Sequence, residues 1–431
     1  MESKNFLFVS LDGLIGDIAW RVKREGHGAR YDIMEDEFSQ DVCDGIVEKT
    51  DDWREELDWA DIVIVDDAFG LGEIAEEVRE KGIPAVGGTE YTDSLEAERG
   101  LGDEVMEDLG LNVIESEIFD SLTEAIKRVR HKPAPYVLKP CGESQNFNHL
   151  LYVGQGDDGE DVIQVMERYR DELVGEVDQV QLQRRKEGIE MSICGFFDGN
   201  KFLEPINYTF EHKRLFPGNL GPMTGEMGTS MFWDPPNRLF KETVGRFEEL
   251  LAEEGYVGSF DINCIVNEEA IFPLELTPRF GYPQISVQEA ALEMPVGEFF
   301  WKLASEDEEA ELEVHDGYQL GFRMVVPPFP YDDIDWFDEQ SEDAVIRFRG
   351  NEIPEGVHIE DTKKVDDEYR VAGATGEVLV ITGKGDTMRE AQADAYDTAE
   401  KVILPNKYYR NDIGDHWYNE AEKLIKWGYL R

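Results

Sequence analysis

Apolar positions in the first ninety residues fall into short blocks separated by amphipathic stretches. NFLFVSL, DIVIVDD and the shorter IPAVGG are runs of strand length, whereas DIAWRVKREG and LGEIAEEVREKG repeat their apolar residues at helical spacing. Strand and helix in alternation predict a parallel α/β unit. The loop Asp12-Gly13-Leu14-Ile15-Gly16 falls between the first strand and the first helix, a position for a phosphate or dinucleotide site or simply for a tight turn. Gly13 is therefore a candidate substrate-binding residue.

Beyond this unit the pattern changes. A helix is predicted from Tyr91 to Leu111, then PYVLKP reads as an apolar strand and VDQVQLQ as another. EGIEMSICGFFDGNKFLEPINY has the alternation and the Asp-Gly turn of a hairpin. After a helix over RLFKETVGRFEELLAEEG, the segments YVGSFDINCIV and AIFPLEL form a strand pair joined near Asn267 and Glu268. The acidic stretch SEDEEAELE marks a domain boundary or a solvated helix end. YQLGFRMVV and EVLVITG follow as strands, and TMREAQADAYDTAEKV as a helix.

Composition adds an environment. With 431 residues and 41% hydrophobic content, the chain suits several domains rather than one. No apolar run is long enough to cross a membrane and MESKNFLFVSLDG is not a signal peptide, so a cytoplasmic protein is expected. The 95 acidic residues against 42 basic ones are scattered, not gathered in a tail. Self-repulsion of this size is screened by concentrated salt, which points to a halophilic source. Nucleic-acid binding is not expected, because it needs clustered Lys and Arg. Cys43, Cys141, Cys194 and Cys264 show no metal-binding spacing and read as buried thiols.

An enzyme that splits ATP to activate a carboxylate needs a cation on the phosphates, acidic ligands for magnesium, and a positive group near the acyl phosphate. Lys139 is a cation in an otherwise apolar strand, where its charge calls for a partner such as a phosphate, unless the side chain snorkels from the strand end. Asp261 and Glu275 interrupt two adjacent strands and fall on one face, together with Asn263 and Thr277. Arg279 follows closely, where a guanidinium can hold a carboxylate or a phosphate. His212, Lys213 and Arg214 precede a Gly-rich loop containing Thr224 and Gly225, and such loops let a ligand approach the backbone.

FEHKRLFPGNLGPMTGEMG, ELTPRFGYPQ, EGIEMS, SLEAERGLGDEVMEDLGL and the C-terminal stretch from HIEDTKKVDDEYRVAGATG to YYRNDIG resemble, in order and spacing, glycinamide ribonucleotide synthetase (phosphoribosylamine-glycine ligase), a family of the ATP-grasp superfamily. The family's patterns are QDHKR-x-x-x-x-D-x-GPNTGGMG and EFN-x-RFGDPE. The resemblance implies a multi-domain α/β and α+β protein: an N-terminal α/β domain over 1–92, an ATP-grasp core over 93–315 with a lid subdomain over about 113–185, and an α+β C-terminal domain over 316–431. It also implies an ATP-dependent carboxylate–amine ligase of purine synthesis, using magnesium or manganese, acting on glycine or another amino acid and an amine acceptor, as a monomer or homodimer.

By position, Arg99 and Lys139 would contact phosphates, Glu190 the ATP ribose and Glu275 the metal. Asp261 matches a metal ligand of ATP-grasp enzymes in general. Lys213 and Arg279 would hold substrate and the acyl phosphate as catalytic residues, with His212, Arg214, Thr224, Gly225 and Gly13 around the substrate. The departures cluster at the substrate end. SLDGLIGDIA replaces a GGGGREHA loop and adds Asp12 and Asp17, while VDDAFG replaces GPE-x-P and adds Asp66 and Asp67. PCGESQNFNH replaces the lid loop ADGLAAGKGV, QLQRRKE replaces an acidic hinge, and Thr277 stands for a metal-binding Asn. Two other readings stay open: a paralogue with a different amine acceptor, and a binding protein that has lost ATP use.

The charge excess makes one prediction that needs only purified protein. The thermal unfolding midpoint should rise as potassium chloride goes from about 0.1 M to about 1 M, through screening of the carboxylates.

Overall fold

The computed structural model describes the chain apart from residues 35–37, 142–149, 173–178, 306–309, 332, 351 and 431. Most of the lid loop PCGESQNFNH and the centre of SEDEEAELE therefore lie outside the described residues.

The N-terminal blocks fold as the parallel unit their pattern predicts. Five strands run in the order Glu48–Lys49, Gly28–Ile33, Asn5–Ser10, Ile62–Val65, Ala85–Val86, all parallel. Phe6 to Val9 within the first strand and Ile62–Val65 are apolar throughout because helices cover both faces, including Gly16–Arg24 and Leu71–Glu80. The chain leaves the central strand to one side first and then the other, so a crevice opens at the carboxyl ends of Asn5–Ser10 and Ile62–Val65. Asp12, Asp66 and Asp67 stand at that crevice.

An eight-stranded sheet forms the centre of the molecule, in the order Ile271–Thr277, Gly258–Val266, Ile189–Phe197, Ile206–Glu211, Gly228–Asp234, Tyr318–Val325, Glu377–Gly385, Val357–Ile359. Every pairing in it is antiparallel. Strands from late in the chain thus continue the sheet begun by earlier ones. Along Gly258–Val266 alternate residues Phe260, Ile262, Cys264 and Val266 enter an apolar core, while Asp261 and Asn263 face a cavity. A smaller antiparallel sheet, Ser116–Phe119, Val180–Arg184, Tyr136–Pro140 and Tyr152–Val153, packs on Leu122–His131 and Glu160–Glu172 around its own core.

Two helices are broken where the sequence reads them as continuous. Glu98 leaves the helical region (φ −108°, ψ 85°) between Glu90–Ala97 and Arg99–Asp108, and Gly102 packs against the Leu95 carbonyl, where a β-carbon would stand 2.6 Å away. Thr243 (φ −130°, ψ −108°) likewise separates Arg238–Glu242 from a single turn and then Glu248–Glu253. Core contact decides both breaks against local helical preference. Among the described residues no helix is long and apolar enough to cross a membrane.

A buried polar knot fastens the N-terminal unit to the central sheet. Arg21 Nε lies 2.7 Å from Asp17 Oδ2 and 2.6 Å from Glu289 Oε1, and Arg21 Nη2 donates to the Val357 carbonyl at 3.0 Å. Asp17 also accepts from the Ile359 amide at 2.8 Å and lies 2.8 Å from His358 Nδ1. Removing the guanidinium would strand two buried carboxylates. Arg21→Met should therefore lower stability by about 3–5 kcal/mol, read from the midpoint of urea unfolding.

Candidate active site

Between the central sheet, the N-terminal crevice and the small sheet lies a cavity of about 580 Å³. Its floor is built by strand alternation. Asp261 pairs with Thr277 and Asn263 with Glu275, so all four side chains share the face that lines the cavity, as their spacing predicts. The Asp261 carboxylate is held on both oxygens, by Ser192 Oγ and by Gln284 Nε2 at 3.1 Å. Burial, with Glu211 next, pushes its pKa up to about 7. Asn263 donates to Glu211 Oε2 at 2.7 Å, and its own Oδ1 is buried with no protein partner. That oxygen is an open acceptor beside Glu275.

Lys213 is the charge at the centre of the floor. Its Nζ lies 3.0 Å from Glu275, 3.2 Å from Glu190 and 3.4 Å from Glu211, three carboxylates from three strands. These neighbours hold Lys213 well above its ordinary pKa, and Lys213 in turn pulls Glu275 far below the usual carboxylate range. Three acids around one ammonium leave negative charge over, which suits a further cation.

Lys139 and Arg99 face the floor from the small sheet and the adjoining helix. Lys139 Nζ donates to the Leu274 carbonyl at 3.2 Å; burial, and then the charge of Arg99, bring it down to about 8. Arg99 lines the cavity and its buried Nε has no partner. Two cations with so few protein partners fit an anion from outside. Arg279, opposite, is already engaged: it binds Glu96 at 2.8 Å and Asp67 at 3.0 Å, and donates to the Phe280 carbonyl.

Three residues expected around the substrate stand elsewhere. Consecutive side chains of an extended segment point to opposite sides, and Lys213 takes the inward one. His212 is accordingly buried against His416, ring centroids 4.4 Å apart, with its pKa pushed down to about 3 by burial. Arg214 donates to the Gly221 carbonyl within its own hairpin. Gly13 packs against Val42 and Ile33, and its amide donates to Ser10 Oγ at 2.8 Å, so the loop presents Leu11, Asp12 and Leu14 to the cavity instead. Thr224 and Gly225 do line it, Thr224 Oγ1 donating to the Lys213 carbonyl. Glu96, Glu211, Arg323 and Glu226 also line it and were not singled out by sequence reading. Of these, Glu226 had a signal, for it stands where the family pattern has a glycine.

Residues 98–281 match the model of the phosphoribosylglycinamide synthetase ATP-grasp (A) domain, and 338–416 that of the phosphoribosylglycinamide synthetase C domain. Together they span more than half of the chain. The protein belongs to the phosphoribosylglycinamide synthetase family. Curated relatives named phosphoribosylamine–glycine ligase include those of Halalkalibacterium halodurans, 25% identical over 80% of this chain and 79% of that protein, and Lactococcus lactis, 24% identical over 77% and 78%. The crystal structure of the Thermotoga maritima phosphoribosylamine–glycine ligase superposes with a TM-score of 0.70 at 19% identity, covering 95% of this chain and all of that one. Campylobacter jejuni biotin carboxylase shares the fold at a TM-score of 0.63 and 12% identity, covering 98% and 97%. In this ATP-grasp setting the acids of the N-terminal crevice stand out.

Asp12 illustrates their cost. Burial, then Asp67 and Glu377, raise its pKa to about 7. A carboxylate raised on folding contributes stability at low pH that is lost as pH climbs from its unfolded value towards 7. Asp12→Asn should therefore stabilise the protein at pH 8 relative to wild type, on the order of a kcal/mol, and much less at pH 5, by urea unfolding at both values.

Proposed function

We propose that the protein is an ATP-dependent carboxylate–amine ligase, forming a carbon–nitrogen bond through an acyl phosphate. The observation that carries this is the opposition of Arg99, which lines the cavity with a partnerless Nε, and Lys139, held behind the wall on the Leu274 carbonyl, to the carboxylate face of Glu275, Asp261 and Asn263 with Lys213 at its centre. Membership of a family of purine-synthesis ligases supports the same reaction class.

In this reading Lys139 and Arg99 would hold the ATP phosphates, and Glu190 would lie towards the ribose. Glu275, Asp261 and the open Asn263 Oδ1 offer the hard oxygen donors that magnesium takes. When bound, the metal supplies charge neutralisation on the transferring phosphoryl group. Lys213 orients the carboxylates around that centre and offers an ammonium to the carboxylate substrate; Arg279, fixed by Glu96 and Asp67, presents a positive edge from the opposite wall. Glycine, the amino acid in the relatives' names, is the proposed carboxylate substrate. The chain would work in a salt-rich cytoplasm, where its surface charge is screened.

Hydroxylamine separates activation of the carboxylate from recognition of the amine. With MgATP, glycine and hydroxylamine, the protein should form glycyl hydroxamate and ADP in equal amounts. Lys139→Met and Glu275→Gln should each cut that rate by about 100-fold or more with unchanged circular dichroism. Absence of both products would leave the binding-protein reading in its place.

A further inference from the structure

The cavity is lined by nine carboxylates and four cations among the described residues. At the N-terminal end stand Asp12 and Asp67, beyond the carboxyl ends of neighbouring parallel strands, with Glu377 of the central sheet close to Asp12; Glu226, on the loop before Gly228–Asp234, lines the same cavity with Arg323 and Lys213 among the charges that act on it. The two guanidiniums there are already committed: Arg279 to Glu96 and Asp67, Arg323 to Glu377 and to Glu360 at 3.3 Å. Glu226 is only 7% exposed, and its Oε1, like Asp12 Oδ1, is buried with no partner. Buried acceptors without donors are costly, and they persist where something else supplies the donor. A salt-rich environment accounts for solvated surface acids but not for these.

The devices that would receive an anion at this end are turned to other uses. The Gly13 amide is spent on Ser10, whose hydroxyl donates to Asp66. The first helix carries Asp17 in its opening turn, where an anion site would need free amides and no competing acid.

We propose that this end of the cavity binds a second, non-reacting positive group on the amine acceptor, so that the acceptor is a diamine-like cation and not a phosphorylated sugar amine. The inference rests on the ligase reading above. The chemistry explains why two nitrogens are needed. The attacking nitrogen must be neutral to use its lone pair, and a carboxylate cluster would hold it as ammonium. Asp12, Asp67 and Glu226 therefore grip the far ammonium and leave the near amine to attack. Its lone pair forms the new N–C bond to the acyl carbon, the C–O bond breaks towards phosphate, and the nitrogen's surplus proton passes to solvent or a nearby carboxylate.

The test measures ADP release by the full chain with MgATP and glycine. The acceptors are 1,4-diaminobutane, butylamine, and ribose 5-phosphate with ammonia, which together generate the phosphorylated sugar amine. The diamine should have a kcat/KM about tenfold or more above butylamine, and Glu226→Gln and Asp12→Asn should each raise its KM about tenfold with kcat changed far less. Equal use of diamine and butylamine, or preferred use of the ribose 5-phosphate mixture, would overturn the inference. If hydroxamate still forms in either case, the acceptor assignment alone has failed. If no hydroxamate forms, the ligase reading fails and this inference falls with it.

Discussion

One ammonium makes the floor of this cavity possible. Glu190, Glu211 and Glu275 come from three strands of the same sheet and converge on Lys213 Nζ within 3.4 Å. Carboxylates brought this close and out of water repel one another and lose hydration, and either effect alone would open the sheet or protonate the acids. With Lys213 among them, Glu275 stays charged and the neighbouring Asn263 and Asp261 can face the same space. The rest of the site is arranged around that charge, with cations on the facing wall and acids towards the N-terminal crevice.

The same rule operates at the junction of the N-terminal unit and the central sheet. Arg21 neutralises Asp17 and Glu289 where solvent cannot, and in doing so fixes the orientation of the first helix. The loop before that helix is thereby held at the cavity rim, presenting Asp12 while Gly13 turns inward. A structural pairing remote from the Lys213 floor thus determines which charge that end of the cavity displays. The family's fold is kept.

Much of this was legible from residue order. Strand length and helical spacing set out the parallel N-terminal unit, since both follow from local geometry. Alternation and a short connection placed Asp261, Asn263, Glu275 and Thr277 on one face, because side chains in paired strands repeat every two residues. Lys139 drew attention for the same reason: a charge in an apolar strand needs a partner. Family resemblance added Arg99 and Glu190 and gave Lys213, already marked by its cationic run before a Gly-rich loop, its expected role; all three converge on or beside the cavity floor.

Tertiary structure alone decided the rest. The pairing of Arg279 with Glu96 joins residues 183 positions apart, and no local pattern encodes it. His212 and Arg214 look equivalent to Lys213 in sequence, yet the direction of one extended segment sends them away from the cavity. Glu98 and Thr243 break helices because packing outweighs propensities of a few tenths of a kcal/mol. The sequence by itself determined which elements form and which residue types the site contains. Only the fold decided which charges neutralise one another and which remain for a ligand, because that depends on distances between segments remote along the chain.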